Sequence, residues 1–480
     1  MTEQSPKIQA VNKTLYLSQL PPEWSNHLLI DQIRKSNEDN DLHYVVIDDD
    51  AAGSQTVKDV HVLTSWSGST LESALNNFGN FFVLTNSRSL TSSSAFQANS
   101  EIATKLAQLV IETNKRIIVI SRTDSTLRGH FFVEIQAITQ AFHRYGINFD
   151  GICFIPFFYE GRRYTCDNIQ WVEEKTQLIP AAATPYANDA VFSYKNSYLP
   201  LWIEEQTQGK VNASEVFSID IHTIREGGPD AIAKIMAAIT GERYVLVNAL
   251  TYRDLEVFIR GWQIAESEGK RFLFRTAASF LKTAMGIGNN YIVPPQLLAN
   301  STSKYGGITV FGSHVPKSTG QLEAVRKLSY VKSKEINVDA ILSAETRDDE
   351  IIKSCQFIHE ALEDGYEALI FTSRTIVKAD SYEKNLAIGQ AISIALAEIV
   401  DMVQLKPKYV IAKGGVTASN IAILSLKVDI ARVVGQAADG IPVWKLGEGS
   451  KWANIPFVIF PGNVGELNTL ADIISKFRLA

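Results

Sequence analysis

The chain has 480 residues, too many for one ordinary hydrophobic core, so its length predicts two domains. Hydrophobic residues make up 45% of it and charged residues 20%, a balance that excludes a largely disordered chain. The net charge of −6 argues against a protein that binds nucleic acid along its length, because such proteins are usually basic.

Short apolar runs alternate with amphipathic segments in the first half of the chain. The runs are rich in Val, Ile and Phe without polar alternation, which indicates strands covered on both faces. Helices are predicted between them, for example over residues 100–114 and 254–268. Alternation of strands and helices is typical of a mainly parallel sheet. The predicted strands are residues 44–50, 81–88, 116–124, 151–158, 243–249 and 271–276.

A domain boundary is predicted between about residues 285 and 306, where Gly, Pro, Asn and Ser follow one another closely. The alternation then restarts with GITVFGS, ALIFTSR, YVIAKGG, ARVVGQA and FVIFPGN as strands, and with helices near 384–405 and from about 466. We therefore predict an α/β protein of two domains, residues 1–295 and 306–480, each built on a mainly parallel sheet flanked by helices. Residues 180–215 show the least pattern, and an insertion or a lid is left open there.

Location and partners follow from what the sequence lacks. The first residues have neither the basic region nor the apolar core of a secretory signal. Apolar stretches such as 151–159 are far shorter than the roughly 20 residues that cross a bilayer. Cys153, Cys166 and Cys355 have neither disulfide nor zinc-ligand spacing. We expect a cytoplasmic protein without a membrane or nucleic-acid partner, and leave open whether it forms a homodimer.

Acids, arginines and hydroxyls follow four successive predicted strands of the first domain. Ligands bind beyond the carboxyl ends of strands in open parallel sheets, so these side chains form one predicted rim. Arginine can hold a carboxylate by two parallel hydrogen bonds, while Asp, Ser and Thr bond to hydroxyls, a mixture that suits a small polyhydroxylated acid. Any single cluster could instead cap a helix or pair with a surface charge. The rim residues are Asp48, Asp49, Asp50, Ser54, Arg88, Arg122, Asp124, Ser125, Thr126, Arg128, Glu160, Arg162 and Arg163.

Glycine replaces charge at the strand ends of the second domain. Glycine turns let backbone N–H groups approach a phosphate, and the following helix N-terminus favours negative charge. One such turn is weak evidence, since any tight turn can require glycine, but three in one domain favour a phosphate site. Neither G-x-x-x-x-G-K-[ST] nor G-x-G-x-x-G is present. The candidates are Ser313 after Gly312, the run Gly414, Gly415, Val416 and Thr417 with Lys413 as a cation before it, and Gly462.

The motifs, in this order, resemble those of the four-carbon acid sugar kinase family over about residues 44–465. They read DDDAAGSQTV (48–57), DSTLRG (124–129) and EGR (160–162), then GSHVPKSTGQL (312–322), KGGVTASN (413–420), GQAADGIPVW (435–444) and FPGNVG (460–465). The sequence departs from the family pattern at Ala51-Ala52, where Pro-Thr is usual. It departs again at Asn420, where Asp is common.

The resemblance implies transfer of a phosphoryl group from ATP, with Mg²⁺, to the C4 hydroxyl of a sugar acid such as threonate, erythronate or 3-oxo-tetronate. A non-catalytic sensor of sugar acid and ATP stays open as an alternative, whereas a nicotinamide-dependent dehydrogenase should show G-x-G-x-x-G after its first strand. The metal ligands stay unknown. We predict Asp124 and Asp49 as catalytic candidates, Asp48, Asp50, Ser54, Arg88, Arg128 and Arg162 as substrate ligands, and Ser313, Lys413, Gly414, Gly415, Val416, Thr417 and Gly462 as nucleotide ligands.

Overall fold

The computed structural model describes residues 8–288, 291–294, 303–375 and 377–479; parts of the predicted linker, 289–290 and 295–302, lie outside the described residues. Its strands are β1 Val11–Asn12, β2 Leu42–Asp48, β3 Val60–Leu63, β4 Phe81–Leu84, β5 Arg116–Arg122, β6 Gly151–Ile155, β7 Arg163–Cys166, β8 Ile169–Glu174, β9 Gln177–Pro180, β10 Phe217–Ile219, β11 Arg243–Val247, β12 Phe272–Thr276, β13 Ile308–Phe311, β14 Val331–Ile336, β15 Glu367–Thr372, β16 Val410–Lys413, β17 Ile430–Ala438, β18 Ile441–Leu446 and β19 Pro456–Phe460.

The helices fall mostly between strands, as the alternation predicted. They are α1 Lys13–Leu17, α2 Leu29–Asp39, α3 Gly68–Phe78, α4 Ser92–Thr113, α5 Phe131–His143, α6 Leu199–Gln206, α7 Ile221–Ala238, α8 Tyr252–Ser267, α9 Ala278–Ala284, α10 Pro316–Arg326, α11 Val338–Leu342, α12 Arg347–Glu363, α13 Tyr382–Met402, α14 Gly415–Asn420 and α15 Thr469–Leu479. Short 3₁₀ turns include Ala51–Ser54, Ser87–Ser89, Ala181–Ala183 and Pro185–Asn188, and a π-helical turn, Ile421–Ser425, follows α14 directly.

The chain divides into two compact units that do not follow a single cut along the sequence. The first unit consists of Met1–Asp49, Ser67–Asn80 and Ser92–Gly288. The second consists of Asp50–Trp66, Phe81–Thr91 and Asn289–Ala480. The division between residues 295 and 306 therefore stays a prediction about the linear sequence. The acidic motif at 48–50 is itself divided, because Asp49 belongs to the first unit and Asp50 to the second.

The first unit is built on a parallel sheet with strand order β10-β11-β6-β12-β5-β2. Its strands are buried along most of their length, which explains their lack of polar alternation. In the β2–β5 pair, Asp48 lies opposite Arg122, so two residues of the predicted rim meet in register. A separate antiparallel sheet, β1-β9-β8-β7, was not predicted.

The second unit has a mixed sheet with strand order β4-β3-β17-β18-β19-β16-β13-β15-β14. The pairs β19–β16, β16–β13, β13–β15 and β15–β14 are parallel, as predicted. Antiparallel pairing joins β3, β17, β18 and β19. The three strands that precede the predicted glycine turns, β13, β16 and β19, are thus neighbours. This brings the three turns to one edge of the sheet.

Helix α13 has the length and apolar composition of a membrane span, and it is the one helix among the described residues that meets those two criteria. Its buried side chains include Leu386, Leu396, Ile399 and Val400. Inside the second unit it contacts α12 and α14. Packing in the second unit thus accounts for part of the apolar composition, and a single helix of this kind is weak evidence for a membrane span.

Candidate functional site

The three glycine turns of the second unit contact one another at the carboxyl ends of β13, β16 and β19. A Cβ atom placed on Gly312 would collide with Thr417 Oγ1, and one on Gly462 would lie 2.6 Å from Ser313 Oγ. The backbone N–H of Gly312 donates to the Lys413 carbonyl at 3.0 Å. Residues that the sequence predicted as separate nucleotide contacts therefore form one continuous surface.

Gly414 and Gly415 each have a physical reason to be glycine. Gly414 has φ +121° as it enters α14, a backbone conformation that side chains disfavour. Gly415 packs against the carboxylate of Asp50, where a Cβ atom would lie 2.6 Å from Oδ2. Gly414, Gly415 and Val416 are half-buried, so their backbone remains accessible at the strand end. This is the local geometry that a phosphate-binding turn requires.

Lys413 lies beneath the turns rather than beside them. It is fully buried, and its Nζ donates to the carbonyl of Pro461 at 2.7 Å and stacks 3.9 Å from the centre of the Phe460 ring. Burial lowers the pKa of Lys413 well below its ordinary value of 10.5, with a smaller effect from the charge of Lys317. These contacts tie the β16 end to the Gly462 turn, while contact with a phosphate stays a prediction.

Asp50 and Arg88 form an ion pair within the second unit. The Asp50 carboxylate also caps the 3₁₀ turn that follows it, accepting from the N–H of Ala52 at 2.6 Å. The N–H of Ala51 donates to Ser419 Oγ of α14 at 3.0 Å. A proline at 51 could not make that bond, so the departure from the family pattern ties the acidic motif to the helix behind Gly415.

The second departure, Asn420, has two hydrogen-bond partners in the same unit. Its Oδ1 accepts from Asn86 Nδ2 at 2.8 Å, and its Nδ2 donates to Ser393 Oγ at 2.9 Å. An asparagine can serve as acceptor and donor at once, whereas a carboxylate can only accept. The amide therefore matches these two partners.

Ser54 is fully buried, and its hydroxyl accepts a hydrogen bond from Trp444 Nε1 at 2.8 Å. Trp444 is fully buried as well. The geometry gives Ser54 a packing role, and its contact with substrate stays a prediction.

The acids of the first unit lie against arginine at the carboxyl end of β2. Arg122 Nη1 lies 3.4 Å from Asp48 Oδ1 and 3.1 Å from Asp49 Oδ1. The Asp49 carboxylate also accepts from Thr123 Oγ1 at 3.5 Å. Arg122 is 4% exposed, and the sequence reasoning named it without assigning it a role. Its position as the last residue of β5 is the signal that could have done so.

Asp124 and Arg128 form a compact loop after β5. Arg128 Nε donates to Asp124 Oδ2 at 2.7 Å, and the Thr126 hydroxyl donates to the same oxygen. Arg128 Nη1 lies 3.4 Å from Asp189 Oδ2, and its guanidinium stacks over the Tyr186 ring at 5.4 Å. Residues of the weakly patterned 180–215 segment therefore contact a predicted substrate ligand.

Arg162 is the last residue of the EGR motif. It sits in the turn after Tyr159 with φ +60°, and its side chain is exposed. The next residue, Arg163, is buried instead, and its guanidinium shares the Tyr186 ring with Arg128 at 5.6 Å. The residue after the motif, Arg163, thus contacts Tyr186, and a substrate contact of Arg162 stays a prediction.

Comparison with known proteins gives two family matches that cover most of the chain. The model of a sugar-binding N-terminal domain matches residues 44–284, and that of a nucleotide-binding C-terminal domain matches residues 308–470. No curated protein matches the chain.

Two crystal structures show a related fold. One is a Salmonella typhimurium LT2 protein provisionally described as a tRNA synthase, with 15% identity, a TM-score of 0.61, and coverage of 89% of this chain and 98% of that one. The other is Haemophilus influenzae protein HI1011, of the DUF1537 family, with 17% identity, a TM-score of 0.56, and coverage of 90% and 100%. At these identities the likeness concerns the fold alone.

Proposed function

Because this chain belongs to the four-carbon acid sugar kinase family, with a sugar-binding and a nucleotide-binding domain, we propose that it transfers the γ-phosphoryl group of ATP to a four-carbon sugar acid. The acceptor is the terminal C4 hydroxyl of a compound such as threonate, erythronate or 3-oxo-tetronate. A cytoplasmic location is part of the proposal.

The observation that carries the proposal is the contact among three glycine turns at adjacent strand ends. Gly312 and Gly462 each approach a side chain of a neighbouring turn, and Gly414 approaches the backbone nitrogen of Ser313. Phosphoryl transfer depends mainly on positioning and on stabilising charge, and backbone N–H groups at such turns supply both. We assign the ATP phosphates to these three glycine turns.

The sugar acid is assigned to the strand ends of the first unit. Arg128 is the candidate for the carboxylate, since guanidinium can bind a carboxylate through two hydrogen bonds. Asp124 and Asp49 are the candidates for the acceptor hydroxyl. Both carboxylates already accept hydrogen bonds, from Arg128 and Arg122 respectively. In phosphoryl transfer an aspartate that orients the hydroxyl is sufficient.

Magnesium would accompany ATP and offset its negative charge. The described residues contain no cluster of three or more His, Cys, Asp or Glu side chains that could hold a metal by itself. Magnesium bound to ATP commonly uses one or two carboxylates together with phosphate oxygens and water, so the residues present fit it. Asp50, which lies against the backbone of Gly415, is the carboxylate that would hold the ion.

The test is ADP release by the purified protein with ATP and Mg²⁺. Threonate, erythronate and 3-oxo-tetronate stereoisomers would be compared with neutral four-carbon sugars. We expect turnover with one or more acids and none with the neutral sugars. Tight ATP binding without ADP release would favour the alternative, a sensor of sugar acids. A complete lack of ATP binding would contradict the assignment of the second unit.

A further inference from the structure

Arg374 lies at the end of β15, the strand next to β13, and belongs to none of the predicted site motifs. Its Nη1 donates to the carbonyl oxygen of Ser313 at 2.8 Å. Its Nη2 donates to Thr319 Oγ1, in α10, at 2.8 Å. The guanidinium also stacks over the Phe311 ring at 5.6 Å. One side chain thus holds both the turn after β13 and the helix that follows it.

Ser313 is the residue through which the three glycine turns meet. Its backbone nitrogen lies 3.6 Å from the position that a Cβ atom would take on Gly414. Its hydroxyl oxygen is 2.8 Å from Ser318 Oγ, which in turn donates to the Gly462 carbonyl at 2.8 Å. Arg374 holds the carbonyl of the same residue, so it fixes the peptide unit between Ser313 and His314.

Arg374 forms no ion pair with an acid among the residues that the structure describes. Glu335 and Glu323 act on it as charges at a distance, without a hydrogen bond. Its Nε is buried and has no hydrogen-bond partner within the described part of the chain. A cation in this state would favour an anion near the turn that it holds.

We propose that Arg374 is a positioning residue for ATP: it holds the Ser313 peptide so that the turn after β13 can receive the phosphates. The inference rests on the proposed use of ATP by the second unit. Removing the guanidinium would leave Ser313 free to reorient. It would also remove a positive charge close to the turn after β13, where we place the ATP phosphates. Nothing in this role involves the sugar acid.

The experiment compares Arg374→Gln and Arg374→Lys with the wild-type protein by calorimetric titration with ATP and by steady-state kinetics. Arg326→Gln is the matched control, because Arg326 also stacks on a phenylalanine, Phe371, at 5.4 Å, but pairs with Glu323. We expect the ATP dissociation constant to rise about tenfold or more in Arg374→Gln, the scale of one lost hydrogen bond to a charged group. Arg374→Lys should recover part of the affinity, and Arg326→Gln should bind ATP like the wild type.

Positioning and mere support of the fold give different results. A positioning role raises the KM for ATP while the KM for the sugar acid is unchanged. A purely structural role would lower the Tm and leave ATP affinity intact in the folded fraction, which would overturn the inference.

If Arg374→Gln does not fold, Thr319→Val removes the Nη2 contact alone. A two- to threefold weaker ATP affinity, roughly the low end for one hydrogen bond, would support the inference, and an unchanged affinity would overturn it. Failure of the wild type to bind ATP would instead defeat the proposed function.

Discussion

Asp50 and Gly415 are in such close contact that a Cβ atom on Gly415 would lie 2.6 Å from Asp50 Oδ2. The contact joins the acidic motif of the N-terminal half of the sequence to the glycine turn that we assign to ATP. Arg88 holds the same carboxylate, and Ala51 N–H bonds to Ser419 behind the turn. Position 415 therefore has no room for any side chain larger than that of glycine.

Gly415→Ala should lower kcat/KM for ATP by about 100-fold, since small displacements of reacting groups have effects of that order. The measurement is the steady-state rate of ADP release at varied ATP. Gly389→Ala is the control: Gly389 is exposed on α13, with no atom within 4 Å of the new methyl group. That change should stabilise the protein by about 0.5–1 kcal/mol and leave activity intact. Full activity in Gly415→Ala would contradict the assignment of this turn.

Arg128→Gln should raise the KM for the sugar acid about tenfold or more, because a charge-assisted bond to the carboxylate is lost. ATP affinity should be unchanged. Arg162→Gln is a matched control, since the Arg162 side chain is exposed and Arg163 occupies the position at Tyr186. We expect a smaller effect there. Equal KM values for the sugar acid in the wild type and Arg128→Gln would remove Arg128 from the substrate site.

Ser54→Ala should lower the free energy of unfolding by about 1–3 kcal/mol, because the buried indole N–H of Trp444 loses its acceptor. Thermal unfolding would measure the change, with Ser333→Ala, at an exposed position of β14, as the control. The KM for the sugar acid should be the same in the folded Ser54→Ala protein as in the wild type. A raised KM for the sugar acid without a loss of stability would support the sequence-based prediction that Ser54 contacts substrate.

His314 should make stability dependent on pH below neutrality. Burial lowers its pKa from the ordinary value of 6.5, and the charge of Arg374 lowers it further. The unfolded chain therefore takes up a proton on His314 at a higher pH than the folded chain does. The folded state has its full stability from this group above pH 6.5 and loses it as the pH falls.

The check is the Tm of wild type and of His314→Gln over a series of buffers from neutral to mildly acidic pH. The wild-type Tm should fall more steeply than that of the variant. His222→Gln supplies the comparison, because His222 lies on the surface beside Glu226. Parallel curves for wild type and His314→Gln would show that His314 does not carry the dependence.

Much of the fold could be predicted because buried parallel strands have a local signature. The run at 116–124 became β5 Arg116–Arg122, and the run at 243–249 became β11 Arg243–Val247. Each strand ended a little before its predicted limit, where polar residues begin. β3 Val60–Leu63 was not predicted because His61 interrupts its apolar run, whereas β4 Phe81–Leu84, of the same length, is apolar throughout.

What could not be predicted is which strands become neighbours, since pairing is set by contacts remote in sequence. The predicted rim included both Arg88 and Arg122, which follow or end strands of different units, β4 in the second and β5 in the first. Arg374 is a second case in which strand pairing could not be predicted from the sequence. It follows an apolar run just as Arg88 does, yet only the pairing of β15 with β13 brings it to Ser313.

The placement of β3 restricts how this architecture can change by recombination. β3 pairs with β17, so a gene fragment that began after the linker would encode a nucleotide-binding half with β17 as an open edge, prone to pairing with other chains. The sugar-binding and nucleotide-binding halves therefore cannot be exchanged as two uninterrupted gene segments. A crossover that exchanged the nucleotide-binding half would also have to exchange residues 50–66 and 81–91, which are encoded far upstream. New specificities in this fold are thus expected to arise by point substitution within one gene.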